Sequence, residues 1–452
     1  MVAALKRRTS WLALENTVIA ARVAQSWGND IFDLHGTQVL LWLDLADCET
    51  RLRRLKHRRK RRNRLWKTIR RAVPGETRKA HLDALQWQQE VLQDRISIIK
   101  QIGDAFVWNL AIGDPRFVQS LFRKSTHQLP SYPAIDAYFR ILEAAEQSSR
   151  YQAVLTDLTR CCGVGDVLIR GATWPHPTPF EVKVRTQPDG SLLTALYGNS
   201  ITFQLDPEDF KHFTEAFGMR APEPVSFDDR GERQKGEVDA ETSRTFKQFR
   251  SAVRHAAPVV RRNWRSLEGV IERAAAGICS CDLAETGLAY VTVPFRRIDP
   301  ARIREMIWEV LRHADVDAGE EDWDLWSSYE LLYEEALSAK ALPYLLWRVN
   351  ARCRALLMTG DVLLVSVARK RIWREAFQRA GIGWEEVDDI WRLTGFGNEL
   401  TFDAADVERL RTGLAYSGIS PKAVAEHAAM NLRNPDGFTV QRYRRSADEP
   451  MA

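Results

Sequence analysis

The stretch GDVLIRGATWPHPTPFEVKVRT, Gly165 to Thr186, decides how the middle of this chain folds. Its first part, Asp166 to Arg170, is an apolar run that opens on a carboxylate. Its last part, Phe180 to Thr186, alternates apolar and polar residues with the period of two that is typical of a half-buried β-strand. Turn-forming residues separate the two runs, so the pattern predicts an antiparallel hairpin.

Three polar side chains come together in such a hairpin. Glu181 and Lys183 are two positions apart and share one face of the strand, and Asp166 meets Glu181 at the open end. Two carboxylates beside an ammonium on a rigid sheet can bind a hard divalent cation and hold a water next to it. The alternative interpretation is an ordinary solvent-facing hairpin with a Glu–Lys pair.

Asp166, the fourteen residues after it and the Glu181-Val182-Lys183 triplet resemble the motif of the PD-(D/E)XK nuclease superfamily. The sequence departs from that pattern at one point, because Gly165 rather than proline precedes Asp166. The resemblance implies a small mixed α/β core of the restriction-endonuclease type. It also implies metal-dependent hydrolysis of nucleic-acid phosphodiester bonds, with DNA favoured over RNA. Nucleases of this kind are common in bacterial defence and mobile-element processing.

The resemblance also assigns roles to the residues of the motif. Asp166 and Glu181 would bind Mg²⁺ or Mn²⁺ together with the Val182 carbonyl, and Lys183 would orient the nucleophile or offset charge on the phosphate. The family often places a further acid on the helix before the strands. Glu143 and Glu146 are the candidates, and we prefer Glu143 because it shares a stripe with Phe139, nearer the packed side of the helix.

A second feature is the basic segment Arg51 to Arg71, which holds 13 Lys or Arg in 21 residues and no acid. A thin apolar stripe through it predicts a helix, and the Pro74-Gly75 break followed by a second periodic run predicts a helical hairpin. Like charges at i,i+4 destabilise a helix unless counter-charge is near. That counter-charge comes either from acids elsewhere in the fold or from nucleic-acid phosphates, which we favour. The residues predicted to contact phosphate are Arg51, Arg54, Arg58, Arg59, Arg61, Arg62 and Lys67.

The 452 residues are enough for two or three domains, and the fold class is predicted as α+β. We expect a helical region at 1–125, the nuclease-like core at 126–220, a linker or mobile loop at 221–244 and a mixed domain at 245–452. In the core, a helix begins at Pro133, and the run from Tyr151 to Thr159 either prolongs it or forms a strand. The helices expected in the last domain are 245–275, 300–313, 325–358, 370–381 and 403–417, and the strands are Leu288–Pro294, Asp361–Val367 and Asn398–Phe402.

Composition limits the compartment and the partners. The net charge is only +5, so the positive charge matters where it is clustered. Six scattered cysteines without C-x2-C spacing argue against a zinc site and fit a reducing compartment. No apolar run is long enough to span a bilayer. We therefore expect a cytoplasmic protein with no membrane association.

Two rival functions remain open on the sequence alone. One is a non-catalytic nucleic-acid-binding or assembly protein that uses the basic helix 51–71. The other is an interaction module whose basic helix docks on an acidic partner protein. The C-terminal domain offers a further surface for a partner protein.

Overall fold

The computed structural model of the chain describes residues 34–68, 74–111, 115–122, 132–148, 150–171, 174, 177–186, 192–197, 261–294, 302–314, 322–333 and 340–434. These residues belong to two compact units, one within 32–252 and one that includes 253–452. Helices and antiparallel sheets occur in both, so the α+β class is confirmed, and its N-terminal region is helical. The expected linker 221–244 lies outside the described residues.

The first unit combines a helical hairpin with a small sheet. Its helices are α1 (Leu34–Thr68), α2 (Gly75–Leu110), α3 (Pro115–Leu121) and α4 (Tyr132–Gln147). Its strands are β1 (Tyr151–Leu155), β2 (Val167–Gly171), β3 (Thr178–Thr186) and β4 (Leu192–Tyr197). The strands form one antiparallel sheet in the order β1-β2-β3-β4. The run after α4 is therefore a strand, which ends in a 3₁₀ turn at Thr156–Leu158.

Helix α1 is fixed to the sheet by one buried amide. The Gln38 side chain donates to the Ala153 carbonyl and accepts from the Leu155 amide, both at 2.9 Å. Both β1 groups face an edge of the sheet, where a buried backbone group without a partner would be costly. The Gln38 amide thus makes two of the hydrogen bonds that a further strand would make at this edge. The helical hairpin and the sheet lie in the same compact unit.

The second unit contains two sheets and seven helices in its described part. The helices are α5 (Trp264–Ala275), α6 (Ile303–His313), α7 (Ser328–Tyr333), α8 (Ala351–Met358), α9 (Ile372–Arg379), α10 (Ala404–Ser417) and α11 (Pro421–Arg433). The strands are β5 (Ser280–Glu285), β6 (Leu288–Val293), β7 (Trp323–Ser327), β8 (Leu363–Arg369), β9 (Gly383–Val387), β10 (Ile390–Gly395) and β11 (Asn398–Phe402). Their orders are β5-β6-β8-β7 and β11-β10-β9.

Several predictions for this unit are confirmed. Strand β8 lies between β6 and β7 and is buried along nearly its whole length, as expected of a core strand. The predicted helix 403–417 corresponds to α10, and Asp403 caps it by accepting a hydrogen bond from the Asp406 amide at 2.8 Å. The expected long helix 325–358 is wrong, because β7 pairs with β8 there and α7 and α8 are separate short helices.

Candidate active site and nucleic-acid interface

The predicted hairpin is formed by β2 and β3, and its register brings the two acids of the motif together. Val167 pairs with Phe180, so Asp166 and Glu181 are the next opposed positions, just beyond the first residue of β2. The Asp166 amide donates to the Phe180 carbonyl at 2.7 Å, and the Asp166 carbonyl accepts from Thr156 at 3.0 Å. The backbone of Asp166 is therefore held by β3 on one side and by the 3₁₀ turn after β1 on the other.

The Asp166 side chain continues the ladder where β2 ends. Its Oδ2 accepts a hydrogen bond from the Val182 amide at 2.7 Å. The Tyr138 hydroxyl, which projects from the buried face of α4, donates to the same carboxylate. Because the N–H and C=O of one residue leave a strand on the same edge, the Val182 carbonyl also faces the side on which Asp166 lies. The carboxylate thus has a fixed position.

The surroundings of Asp166 raise its pKa to about 7, mainly because burial disfavours the charged form and the Glu181 carboxylate lies close. The hydrogen bonds from Val182 and Tyr138 act in the opposite direction. Asp157, buried in the 3₁₀ turn after β1, adds a further negative charge. Burial and the nearby Asp166 and Asp157 raise the pKa of Tyr138 as well. The site is thus a group of neighbouring acids in which Asp166 and Asp157 lie away from solvent.

Helix α2 holds the loop that carries this group. Asp104, almost fully buried, accepts hydrogen bonds from the Arg160 and Cys161 amides at 2.6 and 2.8 Å and pairs with the Arg160 guanidinium at 3.2 Å. A Cβ on Gly103 would lie 1.9 Å from the Leu158 carbonyl oxygen, so α2 and the 3₁₀ turn touch backbone to backbone. These contacts fix Asp157 and Asp166 relative to the helices.

The backbone conformation at position 165 explains why glycine, and not the proline of the motif name, precedes Asp166. The φ of Gly165 is +69°, in the left-handed region that favours glycine, and an added Cβ would lie 2.8 Å from the Phe180 carbonyl oxygen. Proline cannot adopt a positive φ. The glycine is thus required by the turn that leads the chain into β2 with Asp166 against β3.

The other sequence candidates are placed as follows. Lys183 lies two positions beyond Glu181 in β3 and pairs in register with Ala195, and its side chain lies outside the described residues. Glu143 is on the exposed side of α4, not nearer the packed side, and accepts a hydrogen bond from Gln147 at 3.3 Å. Glu146 is exposed too. The α4 residue that reaches Asp166 is Tyr138, which is five positions and about 140° around the helix from Glu143.

Sequence reasoning missed Asp157 and the contact made by Tyr138. Asp157 follows directly on the apolar end of β1, and an acid just after a buried strand is the signal that could have identified it. Both belong to elements whose pairing with β2 and β3 is set by tertiary packing.

A second group of possible ligand atoms lies in the other unit. In the part of the chain that the structure describes, Glu268, Glu272 and Cys353 form the group of three whose ligand atoms lie within 4.8 Å of one another. Asn350 accounts for this arrangement: it caps α8 through the Cys353 amide, and its amide nitrogen donates to both glutamates at 2.6 and 2.7 Å. We interpret the group as a capping network that joins α5 to α8.

The basic segment forms one side of a two-helix arm, which we define as residues 51–68 of α1 with 75–92 of α2. Cys48, Leu52 and Leu92 form the apolar cluster at its base. Farther out, the Arg59 guanidinium bonds to Gln86 and Gln89 at 3.0 and 3.5 Å. Near the tip, the Trp66 ring meets His81 edge-on with centroids 5.2 Å apart. The predicted helical hairpin is therefore confirmed as far as Thr68.

The cations of the arm have few counter-charges in the described part of the chain. Arg51 and Arg53 pair with Asp47 and Glu49 of their own helix at 3.2 and 3.5 Å, and Arg59 contacts the glutamines of α2. The exposed cations that form no ion pair among the described residues are Arg54, Lys56, Arg58, Lys60, Arg61, Arg62, Arg64 and Lys67. For these eight cations, the described part of the chain supplies no acid as counter-charge. Acids elsewhere in the fold were one of the two explanations left open by the sequence.

Comparisons with known proteins add no relative to this description: the chain has no significant match among family models, curated proteins or solved structures. None of the helices in the described ranges combines the length and the apolar character needed to cross a bilayer.

Proposed function

We propose that this protein is a metal-dependent phosphodiesterase that hydrolyses nucleic acid, with its active site at Asp166 and Glu181. The observation that carries the proposal is the pair of opposed carboxylates at the end of β2, where burial and the second acid raise the pKa of Asp166 to about 7. A pair of acids held this close is relieved by a cation between them. Their position on a hydrogen-bonded sheet means that little ordering is needed when the cation binds.

Mg²⁺ or Mn²⁺ fits the donors that are present. Both ions prefer oxygen ligands, and Mg²⁺ keeps several waters, so the Asp166 and Glu181 carboxylates with the Val182 carbonyl suffice. When bound, the ion would acidify a coordinated water and offset charge on the phosphate. The zinc alternative is disfavoured because the group contains no histidine or cysteine.

The residues of the chain divide the remaining tasks. The Val182 amide and the Tyr138 hydroxyl hold the Asp166 carboxylate in one orientation. Lys183, two positions along β3 from Glu181, would place a positive charge beside the reacting phosphate. The exposed cations of the arm would bind the phosphate backbone without reading its sequence.

The test is cleavage of plasmid, linear duplex DNA and RNA with Mg²⁺, Mn²⁺ or EDTA. The wild type should cut only with metal, and Asp166→Asn and Lys183→Ala should both lose cleavage. Calorimetric titration with Mn²⁺ separates the two roles, because Lys183→Ala should still bind Mn²⁺ and Asp166→Asn should not. Glu399→Gln, an exposed acid in the second unit, is the matched control. If the wild type cuts none of the substrates, the proposal is refuted. If Asp166→Asn and Lys183→Ala both cut at the wild-type rate, the active site lies elsewhere.

The second candidate is a nucleic-acid-binding protein without catalysis. The arm favours it, because its exposed cations need no carboxylate to act, and because hydrogen bonds to Val182 and Tyr138 give Asp166 a structural role of its own. This candidate predicts salt-dependent binding in which Asp166→Asn and Lys183→Ala behave like the wild type and no cleavage occurs with either metal.

A further inference from the structure

We infer that the arm seats its α1 helix in the major groove of duplex DNA, with phosphates on both of its sides. The inference specifies duplex DNA as the substrate of the proposed function. It rests on that function only in calling the bound DNA a substrate, since the mode of binding does not depend on cleavage. What carries it is the distribution of the cations around α1. Basic side chains cover nearly all of the α1 surface that α2 does not contact. The helix therefore needs counter-charge on more than one side.

The seam with α2 takes one side of α1. Leu52, Leu55, Arg59 and Trp66 point toward α2, at spacings of three, four and seven residues. The other positions from Arg53 to Thr68 are exposed. At 3.6 residues per turn, the exposed cations occupy about 240° of the helix circumference.

These cations sort by type into three lines along the helix. One line, the arginine wall, consists of Arg54, Arg58 and Arg62. The line on the opposite side, the lysine wall, consists of Lys56, Lys60 and Lys67. Between them, directly opposite the seam, lies the ridge of Arg61 and Arg64, beside the exposed His57. At 100° per residue, the centres of the two walls are about 180° apart.

A flat partner does not match this arrangement. The surface of an acidic protein, or one strand of phosphates, lies on one side of a helix and leaves the far wall without counter-charge. Arg54, Arg58 and Arg62 repeat at i,i+4, as do Lys56 and Lys60, so each wall left alone destabilises the helix. The major groove of B-form DNA is about 12 Å wide, admits one α-helix and has a line of phosphates on each side.

Helix α2 has the composition expected of the helix that stays outside the groove. Over Gly75 to Glu90 its charges are mixed, with Glu76, Asp83 and Glu90 against Arg78 and Lys79. Placing α2 away from the DNA leaves these acids in solvent. The major groove of A-form RNA is deep and narrow and excludes such a helix. The structure therefore favours duplex DNA over duplex RNA and over single strands.

The experiment measures binding of the full chain in EDTA, so that cleavage plays no part. Fluorescence anisotropy with a labelled mixed-sequence duplex DNA gives the dependence of affinity on salt. Two variants neutralise one wall each: Arg54→Gln with Arg58→Gln and Arg62→Gln, and Lys56→Gln with Lys60→Gln and Lys67→Gln. Glutamine is a good helix former, and circular dichroism checks that the arm remains helical.

Each wall variant should lower the slope of log affinity against log salt by about 2.7, since each lost phosphate contact contributes about 0.9 for B-form DNA. The charge-matched control carries Arg265→Gln, Arg392→Gln and Lys422→Gln, all exposed in the second unit, and should keep the wild-type slope. The wild type should bind duplex DNA more tightly than single-stranded DNA or duplex RNA of equal length.

A slope that changes in one wall variant only would overturn the inference, because the helix would then lie flat on its partner. Equal or tighter binding of the single strand or of duplex RNA would overturn it as well, as would no binding to any of the three. These outcomes are independent of the cleavage assay. A chain that binds duplex DNA through both walls but never cuts refutes the proposed function alone.

Discussion

Replacing Asp166 by asparagine should stabilise the protein in mildly alkaline solution and change its stability little in acid. The pKa of Asp166 is raised from 3.8 to about 7 in the folded chain. Between these two values the folded state holds a proton that the unfolded state has lost, so stability falls as the pH rises through this window. Above about pH 7 Asp166 is ionised in both states, and the free energy of unfolding is lowered by the full cost of holding this charge in the folded chain. At 1.36 kcal/mol per pH unit, that cost is at most about 4 kcal/mol.

Asparagine removes this cost and keeps the hydrogen bond. Its carbonyl oxygen can still accept from the Val182 amide, as Asp166 Oδ2 does at 2.7 Å. At 2 to 4 °C for each kcal/mol, the melting temperature of the variant should exceed that of the wild type by about 10 °C near pH 8. The difference should shrink to nearly nothing near pH 4.

The assay is thermal melting across this pH range, in EDTA and with added Mn²⁺. Under the proposed function, Mn²⁺ should raise the wild-type melting temperature near pH 8 and leave that of Asp166→Asn unchanged. Asp83→Asn, an exposed aspartate of α2, serves as the control. A variant that is destabilised equally at every pH would refute the reasoning, since Asp166 would then act as an ordinary charged hydrogen-bond acceptor.

Three further substitutions test the elements around the site. Asp104→Asn removes the charge that pairs with the buried Arg160 guanidinium and should lower the free energy of unfolding by about 3 to 5 kcal/mol in urea titrations; an effect below 1 kcal/mol would contradict a buried pair. Gly165→Ala forces a Cβ into a left-handed residue and against the Phe180 carbonyl, so it should cost at least about 1 to 2 kcal/mol, and unchanged stability would show that the turn can relax. Tyr138→Phe deletes a hydrogen bond that lowers the pKa of Asp166 in the folded chain, so the upper end of the pH window over which stability falls should move upward in thermal melts; an unchanged upper end would show that Tyr138 does not act on Asp166.

The sequence was most informative where one pattern constrained both strands. Alternation from Phe180 to Thr186 fixes which residues share a face, because a shift of one residue would expose the apolar set. Asp166 and Glu181 were expected to meet at the open end if the two strands paired as a hairpin, and β2 and β3 do pair in this way. The contacts of Tyr138 and Asp157 were not predicted, because they depend on how α4 and the 3₁₀ turn pack on the sheet.

Two misses in the second unit have local causes. The β9–β10 hairpin turns at Asp388 and Asp389, with φ of 51° and 60°, so two aspartates occupy the left-handed positions where Asn-Gly is the usual signal. The residues Trp323–Ser327 overlap the start of the predicted helix 325–358, and Trp323 and Trp326 are three positions apart, which also fits a helical spacing. These residues form a strand because they pair with β8, and a single stretch of sequence does not show that pairing.

The arm becomes less firmly held with distance from the sheet, and this gradient has a consequence for its motion. Among the contacts described for the arm, the apolar Leu52 and Leu92 pack at the base, the Arg59 guanidinium bonds to glutamines in the middle, and the Trp66 ring meets His81 farther out. Segments with few buried apolar contacts open at a lower free energy than the core. Amide hydrogens near Trp66 should therefore exchange with solvent sooner than those near Leu52. In the proposed complex with duplex DNA, the end of the arm would bend with the duplex while its base stays fixed.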